Sequence, residues 1–321
     1  MQVKQKKRNM WTMILKFIGG AMVAALIGVA IFLVLESRFD VIDQTWLSNM
    51  VIPTIMERHY REFDSKIGPI YTFYTRTAED EAQLICDKLN IQITYYGLER
   101  IPKDMPFIMV ANEHTILDGC FLVQAINYVR ADEEAKLLRI KQWPQDNNNT
   151  YSLPVVIYGN NGNKLMPNGA EVVTQHLTDG YPLVIFGSGK YDVRLFDKDE
   201  HFRFKSGFLR FARDAKVGIL PVYVDIDFPL TSKVINSLWP RFGDTYIHYK
   251  TIEFMRNQHI KITIGNFIPF EEIPESDLAS DKTKSLKVLK KYENLVFDLK
   301  SNDKLRDEST QVNFAENGWE D

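Results

Sequence analysis

The chain has 321 residues, 45% hydrophobic and 12% aromatic, enough to bury one large core or two small ones. A net charge of -3 provides no electrostatic footprint for a nucleic-acid partner. Its two cysteines, Cys86 and Cys120, form neither a disulfide framework nor a metal-ligand spacing, and their apolar surroundings fit buried thiols.

The first predicted element is a membrane helix. Phe17 to Leu35 reads FIGGAMVAALIGVAIFLVL without a charge, long enough to cross hydrocarbon. Lys4, Lys6, Lys7 and Arg8 precede it and Glu36, Arg38 and Asp40 follow it, which favours a cytoplasmic N-terminus. Val34-Leu35-Glu36-Ser37 offers no small-residue cleavage site, so residues 1–40 are expected to be an uncleaved anchor. Residues 41–78 form an amphipathic connecting segment. Its part from Val41 to Met56 reads as an interfacial helix, as the second arm of a re-entrant hairpin, or as an ordinary helix packed on the domain. A single span puts the rest of the chain outside the cytoplasm and a hairpin keeps it inside, so the face of the membrane stays open. For a bacterial chain the membrane expected is the inner one.

Residues 79–300 alternate in period. Glu79 to Asn90 reads as a helix, Ile91 to Tyr96 and Phe107 to Ala111 as strands, and Asp118 to Val129 as a helix. Ala135 to Ile140 and Leu153 to Tyr158 are strand-like. A helix is expected over Gly169 to Thr178, with Gly180 as its stop, and a buried strand over Pro182 to Phe186. Ser206 to Ala215 is a basic amphipathic helix, and Gly218 to Ile226, Tyr246 to Phe254 and Ile260 to Ile264 are strands. A last helix, Ser280 to Lys300, carries Leu286, Leu289, Tyr292, Val296 and Leu299 as a stripe. The polar tail, residues 301–321, is expected to fray. The pattern predicts an α/β domain with a largely parallel, mixed sheet flanked by helices, behind an N-terminal membrane helix.

Between the second strand and the next helix stands Asn112-Glu113-His114-Thr115-Ile116-Leu117-Asp118-Gly119. A histidine and an aspartate four residues apart at a strand-to-helix turn supply a base and the carboxylate that orients it. In a regular helical turn they would share a face.

This run and its surroundings resemble the catalytic block of the glycerolipid acyltransferases, the lysophosphatidate acyltransferase-like family. Such proteins carry a strand, Asn-His, four residues and Asp, then a second block, Phe-Pro-Glu-Gly-Thr-Arg, whose Glu-Gly-Thr-Arg segment holds the acceptor phosphate. Here the lead-in runs from Tyr96 to Lys103. The second block runs from Gly180 to Lys190, Phe204-Lys205-Ser206-Gly207 follows, and a strand with Pro221 closes the series, in the family's order over roughly Ile91 to Ile226. The resemblance implies a membrane-bound acyltransferase that moves a fatty acyl group from acyl-CoA or acyl carrier protein to a hydroxyl of a lysophospholipid or related lipid. His114 would be the base and Asp118 its orienter, with no metal and no cofactor beyond the thioester co-substrate. It further implies substrate contacts from Gly187, Ser188, Gly189, Lys205 and Pro221; Lys190 and Arg194 match no family residue, and their charge could attract an anionic head group. The partners would be membrane lipids and the acyl carrier; the oligomeric state is not indicated.

The chain departs from the family pattern at two places. Without a gap, Glu113 occupies the histidine position and His114 stands one residue late, which makes Glu113 a second candidate base once its pKa is raised. The family's Pro-Glu-Gly-Thr-Arg is replaced by Gly187-Ser188-Gly189-Lys190-Tyr191, and no arginine follows the strand at Leu153. Three readings result: an acyltransferase with a variant site, a non-catalytic lipid-binding or scaffolding relative, and a thioester or lipid hydrolase. The first is the expectation carried forward.

Overall fold

The computed structural model describes residues 77–115, 117–130, 135–140, 152–157, 164–193, 203–238, 247, 250–251, 253–278, 285–315 and 318–320. The anchor expected over residues 1–40 and the segment up to 76 lie outside them. No described helix is long and apolar enough to cross a membrane.

The strands are β1 Gln92–Tyr96, β2 Phe107–Ala111, β3 Lys136–Ile140, β4 Ser152–Ile157, β5 Lys164–Leu165, β6 Leu183–Phe186, β7 Gly218–Asp225, β8 His259–Ile264, β9 Gln311–Ala315 and β10 Gly318–Glu320. They join in one sheet, β10-β9-β1-β8-β7-β2-β6-β3-β4-β5. The block from β7 through β2, β6 and β3 to β4 is parallel, and β1 runs parallel to β8. Antiparallel pairings join β7 to β8, β1 to β9, β9 to β10 and β4 to β5, so the sheet is mixed as predicted.

The principal helices are α1 Ala78–Leu89, α2 Asp118–Arg130, α3 Gly169–Thr178, α4 Gly207–Ala215, α5 Leu230–Leu238, α6 Ser285–Phe297 and α7 Asp303–Asp307. Helix α1 starts where the Thr77 hydroxyl accepts from Asp80 N, and it stops at Asn90 in the left-handed conformation. Helices α1 and α2 pack one face of the sheet, with Ile85, Leu89, Phe121 and Ile126 against Ile93, Met109 and Val222. Helices α3, α4 and α6 cover the other, with Val173, Phe208, Phe211 and Tyr292 against Ile108, Val110 and Tyr223. Side chains alternate across the sheet because successive strand residues point to opposite faces. Cys86 and Cys120 are free and buried, and burial pushes the Cys86 thiol up to about 12, so neither is a nucleophile at neutral pH.

Three expectations need correction. The tail does not fray as a whole: β9 pairs with β1, and α7 precedes it. Val312 and Phe314 alternate with polar neighbours and are buried, so the sheet gains an edge that extends the domain beyond residue 300. The stretch read as a strand from Tyr246 is helical at residues 247, 250–251 and 253–255, where the Thr251 hydroxyl donates to Ile247 O four residues earlier. In α6, Leu286 is exposed while Tyr292 and Val296 are buried, so the apolar stripe starts later than predicted.

Candidate active site

All five residues of β2 are buried, and the strand is flanked by β7 and β6 running the same way. Three carboxyl ends therefore meet at one edge, the place where open α/β sheets hold ligands. Gly187 N donates to Ala111 O at 2.9 Å, so the loops after β2 and β6 leave the sheet side by side.

Asn112 comes first out of β2 and is completely buried. Its amide takes a place in the sheet's own hydrogen bonding: Val224 N donates to Oδ1 at 2.8 Å, and Nδ2 donates to Val224 O at 2.9 Å. Nδ2 also lies 3.1 Å from His114 Nδ1.

His114 is 6% exposed. Its ring stacks on Phe228 at 5.6 Å between centroids and meets Tyr223 edge-on at 6.3 Å. The expected bond between its ring and Asp118 is not made. Asp118 Oδ2 instead accepts the backbone N–H groups of His114 at 2.5 Å and Thr115 at 3.0 Å, and Oδ1 accepts the Thr115 hydroxyl at 2.6 Å. The helix begins only at Asp118, so His114 does not lie one helical turn before it on a common face. Burial raises the Asp118 carboxyl from 3.8 to about 6, against the pull of the Thr115 hydroxyl and the two backbone donors.

The second loop is built on Ser188, which is 1% exposed. Its hydroxyl accepts from Lys190 N at 3.1 Å and lies within donating reach of Lys190 O at 2.8 Å and Asp192 Oδ2 at 3.1 Å. Asp192 is buried, and its N–H donates to Glu113 O, which locks the two loops together. Asn236 of α5 donates to Tyr191 O at 3.0 Å and fixes the far side. Gly189 has φ +63°, a conformation L side chains resist. A Cβ on Gly187 would lie 2.4 Å from the Phe204 ring.

The structure thus brings Glu113, His114, Asp118, Gly187, Ser188, Gly189 and Lys190 to one edge of the sheet. Glu113 and Lys190 are half-buried, and the Lys190 ammonium meets no carboxylate among the described residues. Lys205 is exposed and joins the site through its backbone, donating to Gly187 O at 2.8 Å. Pro221 is buried inside β7 opposite Val110, one position short of the end of β2. Arg194 lies outside the described residues. Sequence reasoning missed Asp192, Phe228 and Asn236. An acid four residues beyond Ser188 in a loop of small residues was a usable signal for Asp192; nothing local marks Phe228 or Asn236.

Residues 92–225, from β1 to the end of β7, match the family model described as Acyltransferase. No curated protein matches the chain. Among solved structures, the 1-acyl-sn-glycerophosphate (LPA) acyltransferase PlsC from Thermotoga maritima aligns at 15% identity and a TM-score of 0.43. That alignment covers 85% of this chain and 95% of that one.

Proposed function

We propose that this chain, whose residues 92–225 match the Acyltransferase family model, is a glycerolipid acyltransferase-like protein that moves a fatty acyl group from an acyl thioester to a hydroxyl of a lysophospholipid or related lipid. The observation that carries the reading is the buried His114 imidazole at the carboxyl end of β2, beside the loop of Ser188 and Lys190. The acceptor oxygen attacks the thioester carbonyl, forming the C–O bond while the C–S bond breaks. His114 takes the hydroxyl proton and returns it to the leaving thiolate. The half-buried Lys190 offers charge to an anionic head group, and the apolar run at Phe17 holds the domain on its lipid substrate.

The test uses the full chain in lipid vesicles with isotope-labelled acyl-CoA or acyl carrier protein and a panel of lyso-lipids, with products read by mass spectrometry. His114→Ala is expected to lower transfer by about 10²–10⁴-fold. A collapse confined to Glu113→Gln would transfer the base role to Glu113, and fatty acid release without an acylated lipid would mark a hydrolase. No product from any donor would overturn the reading. One observation favours the lipid-binding alternative: the Asp118 carboxylate is engaged by the Thr115 hydroxyl and backbone N–H groups and not by the imidazole.

A further inference from the structure

The Asn112 amide is held at both ends by one residue of β7. Val224 N–H requires an acceptor and finds Oδ1; Val224 C=O requires a donor and finds Nδ2. Turning the amide over would set N–H against N–H and oxygen against oxygen between buried groups, so the orientation is fixed by two bonds at once. Nδ2 carries two protons. One is committed to Val224 O, and the other has His114 Nδ1 as its partner at 3.1 Å. That contact is a hydrogen bond only if Nδ1 offers a lone pair. A neutral imidazole with a lone pair on Nδ1 carries its proton on Nε2.

We propose that Asn112 is the positioning residue of His114 and holds the ring as the Nε2–H tautomer. The consequence for chemistry rests on the acyltransferase reading above. A base in a histidine–carboxylate pair donates Nδ1–H to the carboxylate and keeps a lone pair on Nε2 for the substrate proton. In this chain Asp118 is spent on the backbone of the turn, and an amide donor occupies the place of the acceptor. The resting imidazole therefore presents N–H on its Nε2 edge, and its one basic lone pair is turned to Asn112. Becoming a base there requires the ring to flip, or the Asn112 amide to leave Val224. The site described is a resting form, biased toward the Nε2–H tautomer by at least about tenfold, because the other tautomer sets two donors against each other.

The imidazole-labelled (¹⁵N) 321-residue chain in detergent micelles tests this directly. At a pH where the ring is neutral, long-range proton–nitrogen correlation distinguishes a protonated nitrogen from one with a lone pair. His114 is assigned among the 6 histidines by the signal lost in His114→Gln. The expected pattern has Nε2 protonated and Nδ1 bare, with a scalar coupling across the bond from Asn112 Nδ2–H to His114 Nδ1. A protonated Nδ1, or absence of that coupling, overturns the proposal in the wild type, whatever the variants do. In Asn112→Asp a carboxylate oxygen replaces the donor, and the tautomer is expected to invert to Nδ1–H. A folded Asn112→Asp protein that keeps Nε2–H would show that Asn112 does not set the tautomer. No substrate enters these spectra, so they and the transfer assay fail separately. A correct tautomer with no transfer sinks the enzyme and spares the positioning role.

Discussion

The carboxylate of Asp118 closes on the backbone of His114, not on its ring, with Oδ2 2.5 Å from the His114 nitrogen. The same oxygen holds Thr115 N, and the other holds the Thr115 hydroxyl. A residue that spacing alone marks as a catalytic orienter is thus also the clasp of the turn between β2 and α2. Loss of activity in an Asp118 variant therefore mixes chemistry with folding unless stability is measured beside it.

Asp118→Ala removes an acceptor from three donors on the buried residues His114 and Thr115. Leaving buried donors unmet costs roughly 1–3 kcal/mol each before relaxation, so a net loss of about 2–4 kcal/mol is expected. Denaturant unfolding of the purified protein measures it. Asp118→Asn, which keeps one acceptor oxygen, is expected to lose less than half as much. A fully stable Asp118→Ala protein with no transfer would instead mark Asp118 as purely catalytic.

The same carboxyl gives a signed pH dependence. It titrates at about 6 in the fold against 3.8 when exposed. Between those values the folded state holds a proton that the unfolded state has released. Its stabilising contribution is complete below 3.8 and is lost as pH rises through 6. The stability of wild type minus that of Asp118→Asn is expected to fall by about 2–3 kcal/mol from about pH 4 to about pH 7. A flat or rising difference would contradict burial as the dominant influence.

What the sequence reveals depends on how local the deciding contacts are. The strand Phe107 to Ala111, the turn and α2 are legible because their apolar periods and the polar interruption lie within a few residues. The late strand β9 is not, since its short alternation at Val312 and Phe314 gains meaning only from β1 at the other end of the domain. The helix containing Thr251 is misread because Tyr249, Thr251, Ile252 and Phe254 favour strands, while Phe254 is drawn onto Phe228 by packing, at 5.5 Å between rings. The site divides in the same way. His114 and Ser188 stand out by resemblance, but the partner that sets the Asn112 amide is 112 residues away.

Gly187 tests whether the second loop needs close packing. The Cβ of an alanine there would meet three atoms of the Phe204 ring at 2.4–2.5 Å, and that ring is buried against Phe208 and Phe297. Gly187→Ala must displace a rigid aromatic or the strand end, at about 1–3 kcal/mol. The displacement reaches Ala111 O, so transfer is expected to fall along with thermal stability. Gly180→Ala, where φ is +99° but no atom lies within 4 Å, is expected to lower stability through backbone strain alone and leave transfer unchanged. Equal loss of transfer in both variants would refute a packing effect specific to the site.

Placing at position 188 the acid that the acyltransferase pattern carries there tests whether the second loop has room for it. Ser188 is 1% exposed, and its hydroxyl is 3.1 Å from Asp192 Oδ2, itself on a buried residue. A glutamate there would add volume to a packed turn and bring a second carboxylate beside the first, where like charges repel. Ser188→Glu is therefore expected to destabilise the domain by about 2–4 kcal/mol and to leave transfer no faster. Combining it with Asp192→Asn removes the like charge and is expected to recover part of that stability, since the volume problem remains. Thermal unfolding and the labelled-acyl assay on the two variants decide the point. If Ser188→Glu alone is as stable as wild type and turns over faster, crowding beside Asp192 is not what keeps an acid out of position 188.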